Sequence, residues 1–118
     1  ELVQTSFYER SGLKRYSEDQ IVFFEAEFTR CKSEFENARK DFFEVFDLSW
    51  DSLMNKKSIE AHLLTSVSKT SRKLAHTSRE VCDTLFPYCG LEAAKKNTEI
   101  NRVWRDIHTA SQHALLTF

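Results

Sequence analysis

Glycine and proline are nearly missing from this chain: two glycines and one proline in 118 residues. A sheet needs turns, and turns need those residues, so the shortage excludes a multi-stranded β fold and suits long helices. Long apolar runs are missing too. Nothing approaches the roughly 20 apolar residues of a membrane span, and no charged-then-apolar leader pattern opens the chain. Neither sign of charge is in excess: 17 basic against 18 acidic side chains leave a net charge of −1. A field that draws phosphate backbones or anionic lipid is therefore absent, and the expectation is a cytoplasmic protein with neither nucleic acid nor membrane as partner. The cysteines, Cys31, Cys82 and Cys89, are odd in number and lack C-x-x-C spacing. That argues against a disulfide framework and against a zinc site, and predicts small side chains filling core gaps. Phosphate-cradling glycine loops, nucleophile elbows and metal-ligand motifs are likewise not found.

What is present is helical periodicity. The run "YSEDQ" places Ser17 and Gln20 at capping-box spacing, with Tyr16 able to staple onto Ile21. From there Ile21, Phe24, Phe28, Cys31, Phe35, Ala38, Phe42 and Val45 alternate by three and four, an apolar line widened by Phe43, Phe46 and Trp50. The spacing predicts a helix over about 18–53. After "DSLMNKKS", with Asn55 or Ser58 as cap, a second line runs Leu64, Val67, Ser71, Leu74, Ser78, Val81, Leu85 and predicts a helix antiparallel to the first. Pro87 and Gly90 stop it. Asn97 or Thr98 then caps a third helix with Ile100, Val103, Ile107, Ala110 and Ala114 on one face. The opening "ELVQTSFYER" reads as the last turns of a helix already under way, ending at "RSG", which suggests a fragment of something longer. One partial N-terminal helix plus three full helices predict an all-α, up-and-down four-helix bundle comprising one domain, 1–118.

The third helix carries the residues most suited to chemistry. Arg102, Asp106, Thr109 and His113 recur at four, three and four, a polar line beside the apolar one. Asp106 and His113 stand seven residues apart, about 10.5 Å along a helix axis, too far for a direct acid–imidazole pair. His113 can act, but only with a partner from elsewhere. Arg105 and Asp106 are expected to be structural, with one or both paired to an element outside their own helix, and His108 to be packing or surface. His62 and His76 lie among serines and lysines without ligands at metal spacing. Arg10, Lys14 and Arg15 form a small basic cluster, a solvated turn or a phosphate contact. A phosphotransfer module is excluded because no histidine is followed at i+3 by Lys and then Gly.

The segments "INRVWRDIHTASQHALL" and "YCGLEAAKKNTE", with the upstream "RSGLKRYSED", resemble the C-terminal helical domain of acyl-CoA dehydrogenase-like flavoproteins. Within that group the likeness is to two-component monooxygenases that hydroxylate aromatic or related small molecules with reduced flavin and O2. The resemblance spans nearly the whole chain, although only its last part is specific. It implies FMN or FAD as cofactor, a flavin reductase as its source, a small-molecule substrate and a homotetramer. It also places Gly90 and Leu91 in the loop that approaches the flavin, although a second glycine often found there is absent. Dehydrogenases of the superfamily carry a Tyr-Glu-Gly-Thr-like segment where this chain has His113-Ala114-Leu115-Leu116, and its acid is their base in many cases. The monooxygenase branch has a matching histidine near flavin and substrate, which makes His113 the implied catalytic residue. Flavin and substrate are held mainly by other domains, so this chain alone is not expected to turn over. Two other readings stand beside this one: an acyl-CoA dehydrogenase-type oxidoreductase, and a non-catalytic helical oligomerisation module built on the Phe-rich line.

Overall fold

Ser17 starts the longest element. Its hydroxyl accepts from the Gln20 amide at 3.2 Å, and Gln20 Oε1 accepts from the Ser17 amide at 2.8 Å, the reciprocal cap that the sequence spacing predicts. The computed structural model describes residues 1–14 and 16–117, the side chains of 10–14 excepted. After α1 (Leu2–Lys14), α2 runs unbroken over Glu18–Lys56, because no glycine or proline interrupts it. It passes the expected end at 53 and stops where Lys57 turns left-handed at φ 57°. α3 (Ala61–Leu85) follows. Neither expected cap is used: Asn55 lies within α2, and Glu60 sits at the N-cap without a side-chain bond. Ser58 serves the connection instead, its carbonyl accepting from the Ser52 hydroxyl at 3.2 Å.

The short connection returns α3 antiparallel along α2, so that Arg30, Cys31 and Glu34 share a groove with Glu80, Val81, Asp83 and Thr84. Phe24, Cys31, Ala38 and Ser49 are the buried residues of α2; the first three lie on the three-and-four line read from the sequence, and Ser49 extends it one step past Val45. Three of the four are small, which lets the helix backbones approach. The hydroxyls at this contact cost little, since each bonds to its own helix: Ser49 to Val45 O at 2.8 Å and Ser78 to Leu74 O at 2.7 Å.

Past Leu85 the chain tightens into two 3₁₀ turns, Phe86–Cys89 and Leu91–Ala94, hinged at Gly90. Pro87 has no amide to continue the α3 ladder. α4 (Glu99–Ala110) begins at Thr98, whose hydroxyl accepts from the Asn101 amide at 3.3 Å as expected, and α5 (Ala114–Thr117) lies back on α3. Among the described residues there is no strand.

Burial concentrates at the end where α2 begins and α3 finishes. Phe7 of α1 stacks on Phe24 with centroids 3.8 Å apart, Tyr16 stacks on the other side of Phe7 at 5.0 Å, and Tyr88 meets Phe24 edge-on at 5.1 Å. Leu2 and Val3 of α1 line a small cleft there with Ile100, Val103 and Trp104 of α4. α1 and α4, of 13 and 12 residues, flank that end, while the 39-residue α2 continues with α3. The molecule is consequently long, 59 × 28 × 22 Å, with a radius of gyration of 17.9 Å where a compact chain of this length has about 13.5 Å.

Candidate functional site

α4 places Arg102, Asp106 and Thr109 on its exposed side. Arg102 reaches Glu99 at 3.9 Å, one exposed pair worth little. Arg105 donates to the Lys96 carbonyl at 3.1 Å and so ties the preceding loop to the helix, the pairing outside the helix expected of one or both residues, while Asp106 is exposed. His113 does not continue the line on α4. The helix ends at Ala110, where the buried Ser111 turns its hydroxyl to His108 O at 3.2 Å and the Gln112 and His113 amides close 3₁₀-type turns on Thr109 O and Ala110 O. His113 therefore stands in the turn between α4 and α5. Its exposed ring accepts from the Leu115 amide at Nδ1, 3.2 Å away, so in the neutral ring Nε2 carries the proton.

Gly90 sits at φ 68°, ψ −166°, a region that a side chain blocks. Leu91 beside it is 85% exposed. Gly90→Ala is expected to lower stability by about 1–3 kcal/mol, read by thermal melting, because the new Cβ must strain the turn or shift it. Asn101, buried, holds this loop from α4 by donating to Ala93 O at 2.8 Å. Gly90 and Leu91 precede α4 and His113 follows it; 12 helical residues, about 18 Å, lie between the two groups. The structure does not bring them together.

One constellation is not readable from either helix alone. Asp83 of α3 accepts from Trp104 Nε1 at 3.2 Å and lies 2.9 Å from His108 Nε2. His108 packs on Trp104 at 4.3 Å, and Phe86 stacks on the indole at 5.1 Å. His108 Nδ1 is 2.9 Å from Trp104 O, an acceptor only, so that nitrogen holds a proton; the contact to Asp83 becomes a charge-assisted bond when Nε2 is protonated as well. The i, i+4 spacing of Trp104 and His108 is the only sequence signal for it. With its side chain 18% exposed and enclosed by these groups, His108 clamps α4 to α3, in keeping with the packing role expected of it.

Residues 4–118 match the family described as acyl-CoA dehydrogenase, C-terminal domain. The chain belongs to this family. No curated protein and no solved structure matches it. Membership makes it a domain of the flavin-dependent oxidoreductase type, whose usual flavin is FAD. At Gly90 and Leu91 this acyl-CoA dehydrogenase C-terminal domain presents a turn without a Cβ and an exposed apolar side chain beside it. A 590 Å³ cleft borders this turn, lined by Leu2, Thr5, Ser6, Glu92, Ala93 and Ile100 among others.

Thiol chemistry finds no support in the domain. Burial pushes the Cys31 and Cys82 thiols up, which keeps them protonated, and Cys89 is buried as well. Among the described residues no group of three His, Cys, Asp or Glu could hold a metal, and no helix is long and apolar enough to cross a membrane. The side chains of Arg10, Lys14 and Arg15 lie outside the described residues.

Proposed function

We propose that this domain is part of the oxygenase component of a two-component flavin-dependent monooxygenase, which hydroxylates an aromatic or related small molecule with reduced flavin, FMN or FAD, and O2. A separate reductase supplies the reduced flavin. The reading rests on His113, an exposed imidazole at the position where, by the resemblance, dehydrogenases of the superfamily place an acid. The Leu115 amide holds Nδ1 as an acceptor, so in the neutral ring Nε2–H is a ready donor to a substrate or oxygen atom, and an imidazole released from this local bond can act as a base instead. Bound reduced flavin would supply the electrons for oxygen activation. Gly90 and Leu91 would meet the ring's edge. The α2–α3 hairpin makes two members of an up-and-down four-helix bundle, with α1 and α4 as the other two.

The complete flavoprotein tests this when given reduced FMN or FAD, isotopically labelled O2 and a panel of phenols. In parallel it receives acyl-CoA thioesters with an artificial electron acceptor. Labelled oxygen in a hydroxylated product is the expected result. Reduction of the acceptor by a thioester would replace this reading with the dehydrogenase one, and silence in both assays would leave a helical association module.

A further inference from the structure

One sign of charge lines the outer face of α3. Lys69, Arg72, His76 and Arg79 advance by three, four and three with Lys73 between them, and no aspartate or glutamate stands between Glu60 and Glu80. Val67, Leu74 and Val81, the apolar line of the same helix, lie on its opposite side, so the basic line faces away from α2. Lys69, Lys73 and His76 are exposed, and Arg72 and Arg79 are half-buried beside them.

α2 treats its cations differently. Arg30 pairs with Glu27 and Glu34, Lys32 with Glu36 and Lys40 with Glu44, all along one helix. Lys69, Lys73 and Arg79 have no ion-pair partner among the described residues. Like charges three and four residues apart oppose the helix by about 0.2–0.5 kcal/mol per pair, a cost that carboxylates laid along the line would remove.

The extent of the line chooses the partner. From Lys69 to Arg79 it is about 15 Å long, nearly three turns. Glu60 precedes it and Glu80 and Asp83 close it, while the net charge of −1 puts no wider positive field around it. A continuous polyanion, whether nucleic acid or an anionic bilayer, would run onto those carboxylates. A short helix of another protein with Asp or Glu at i, i+4 and i+7 has the same rise as α3 and can end where the basic line ends. We propose that the outer face of α3 docks a different protein through such an acidic helix, whose carboxylates meet Lys69, Lys73 and Arg79. The contact is small and polar, so it forms fast and breaks readily, as a transient partner requires. It does not depend on the flavin reading.

Fluorescence anisotropy on the complete flavoprotein reads the proposal, with a labelled alanine-based helical peptide of about 20 residues carrying Glu at i, i+4 and i+7 as the probe. Saturable binding is expected, weaker by about tenfold between about 10 mM and about 150 mM salt, as the screening length falls from about 30 to about 8 Å. Lys69→Glu combined with Lys73→Glu should weaken binding about tenfold or more and should reverse the preference toward the same peptide with Lys in place of Glu. Both substitutions alter exposed side chains, so helicity by circular dichroism and subunit assembly by sedimentation should not change. No binding by the wild type, or equal binding by the doubly substituted protein, overturns the proposal. A single-stranded oligonucleotide or phosphatidylserine vesicles held more tightly than the peptide would give the face to a polyanion or a membrane instead. Loss of subunit assembly in the doubly substituted protein would make the face a contact between copies of the chain, which also overturns it.

Discussion

Phe24→Ala is expected to destabilise the chain by about 3–5 kcal/mol, the cost of a fully buried phenylalanine. Phe24 is 1% exposed, and its ring is enclosed by Phe7, Tyr8, Phe28 and Tyr88, which come from α1, α2 and the turn after α3. Truncation leaves a cavity that three separately anchored elements cannot collapse to fill. The core is small and lies at one end of the molecule, so such a loss removes a large part of a total of about 5–15 kcal/mol. Phe42, which the sequence pattern treats as Phe24's equivalent, is only half-buried and should cost less. Denaturant unfolding of the two variants measures the difference. A loss below about 1 kcal/mol for Phe24→Ala would mean that the aromatic cluster does not hold α1 to the hairpin.

Why the sequence distinguishes these positions so poorly follows from what periodicity reports. A three-and-four line tells which side of α2 is apolar, and Phe24, Cys31 and Ala38 are buried on it as expected. It does not tell how far along the helix a partner extends. α1 and α4 stop short of the far end, so Phe42 and Val45 are half-buried and Phe43, Phe46 and Trp50 lie open. Caps were legible where a hydroxyl precedes the helix directly, as at Ser17 and Thr98; the α3 start, left to Glu60, gave no such signal. The end of α4 escaped because serine, glutamine and histidine have no strong breaking tendency. Ser111 ends the helix in a buried place that no sequence pattern reports, its hydroxyl bonded back to His108 O. Asp83, Trp104 and His108 escaped for the same reason: their meeting is a fact of the α3–α4 contact, and each lies in an ordinary helical setting in the sequence.

His113→Ala, in the complete flavoprotein, is expected to lower product formation by about 10²–10⁴, the usual loss when a proton-transfer group is removed. Oxygen uptake should continue, with hydrogen peroxide released in place of hydroxylated product. Melting temperature and flavin affinity should change little, because the ring is exposed and its hydrogen bond is to the amide of Leu115, two residues away in the same turn. The contrast with His108 supplies the control. His108 clamps α4 to α3 through Asp83 and Trp104, so His108→Ala should lower stability first and activity only as a consequence. His113→Gln separates the two roles open to the imidazole. Glutamine can still donate a hydrogen bond but cannot take up a proton, so a variant that recovers most of the rate shows that Nε2–H acts as a donor. A Gln variant as slow as the Ala variant shows proton acceptance. Coupled hydroxylation at near wild-type rate in both variants would remove His113 from the chemistry and leave it a surface residue of the turn between α4 and α5.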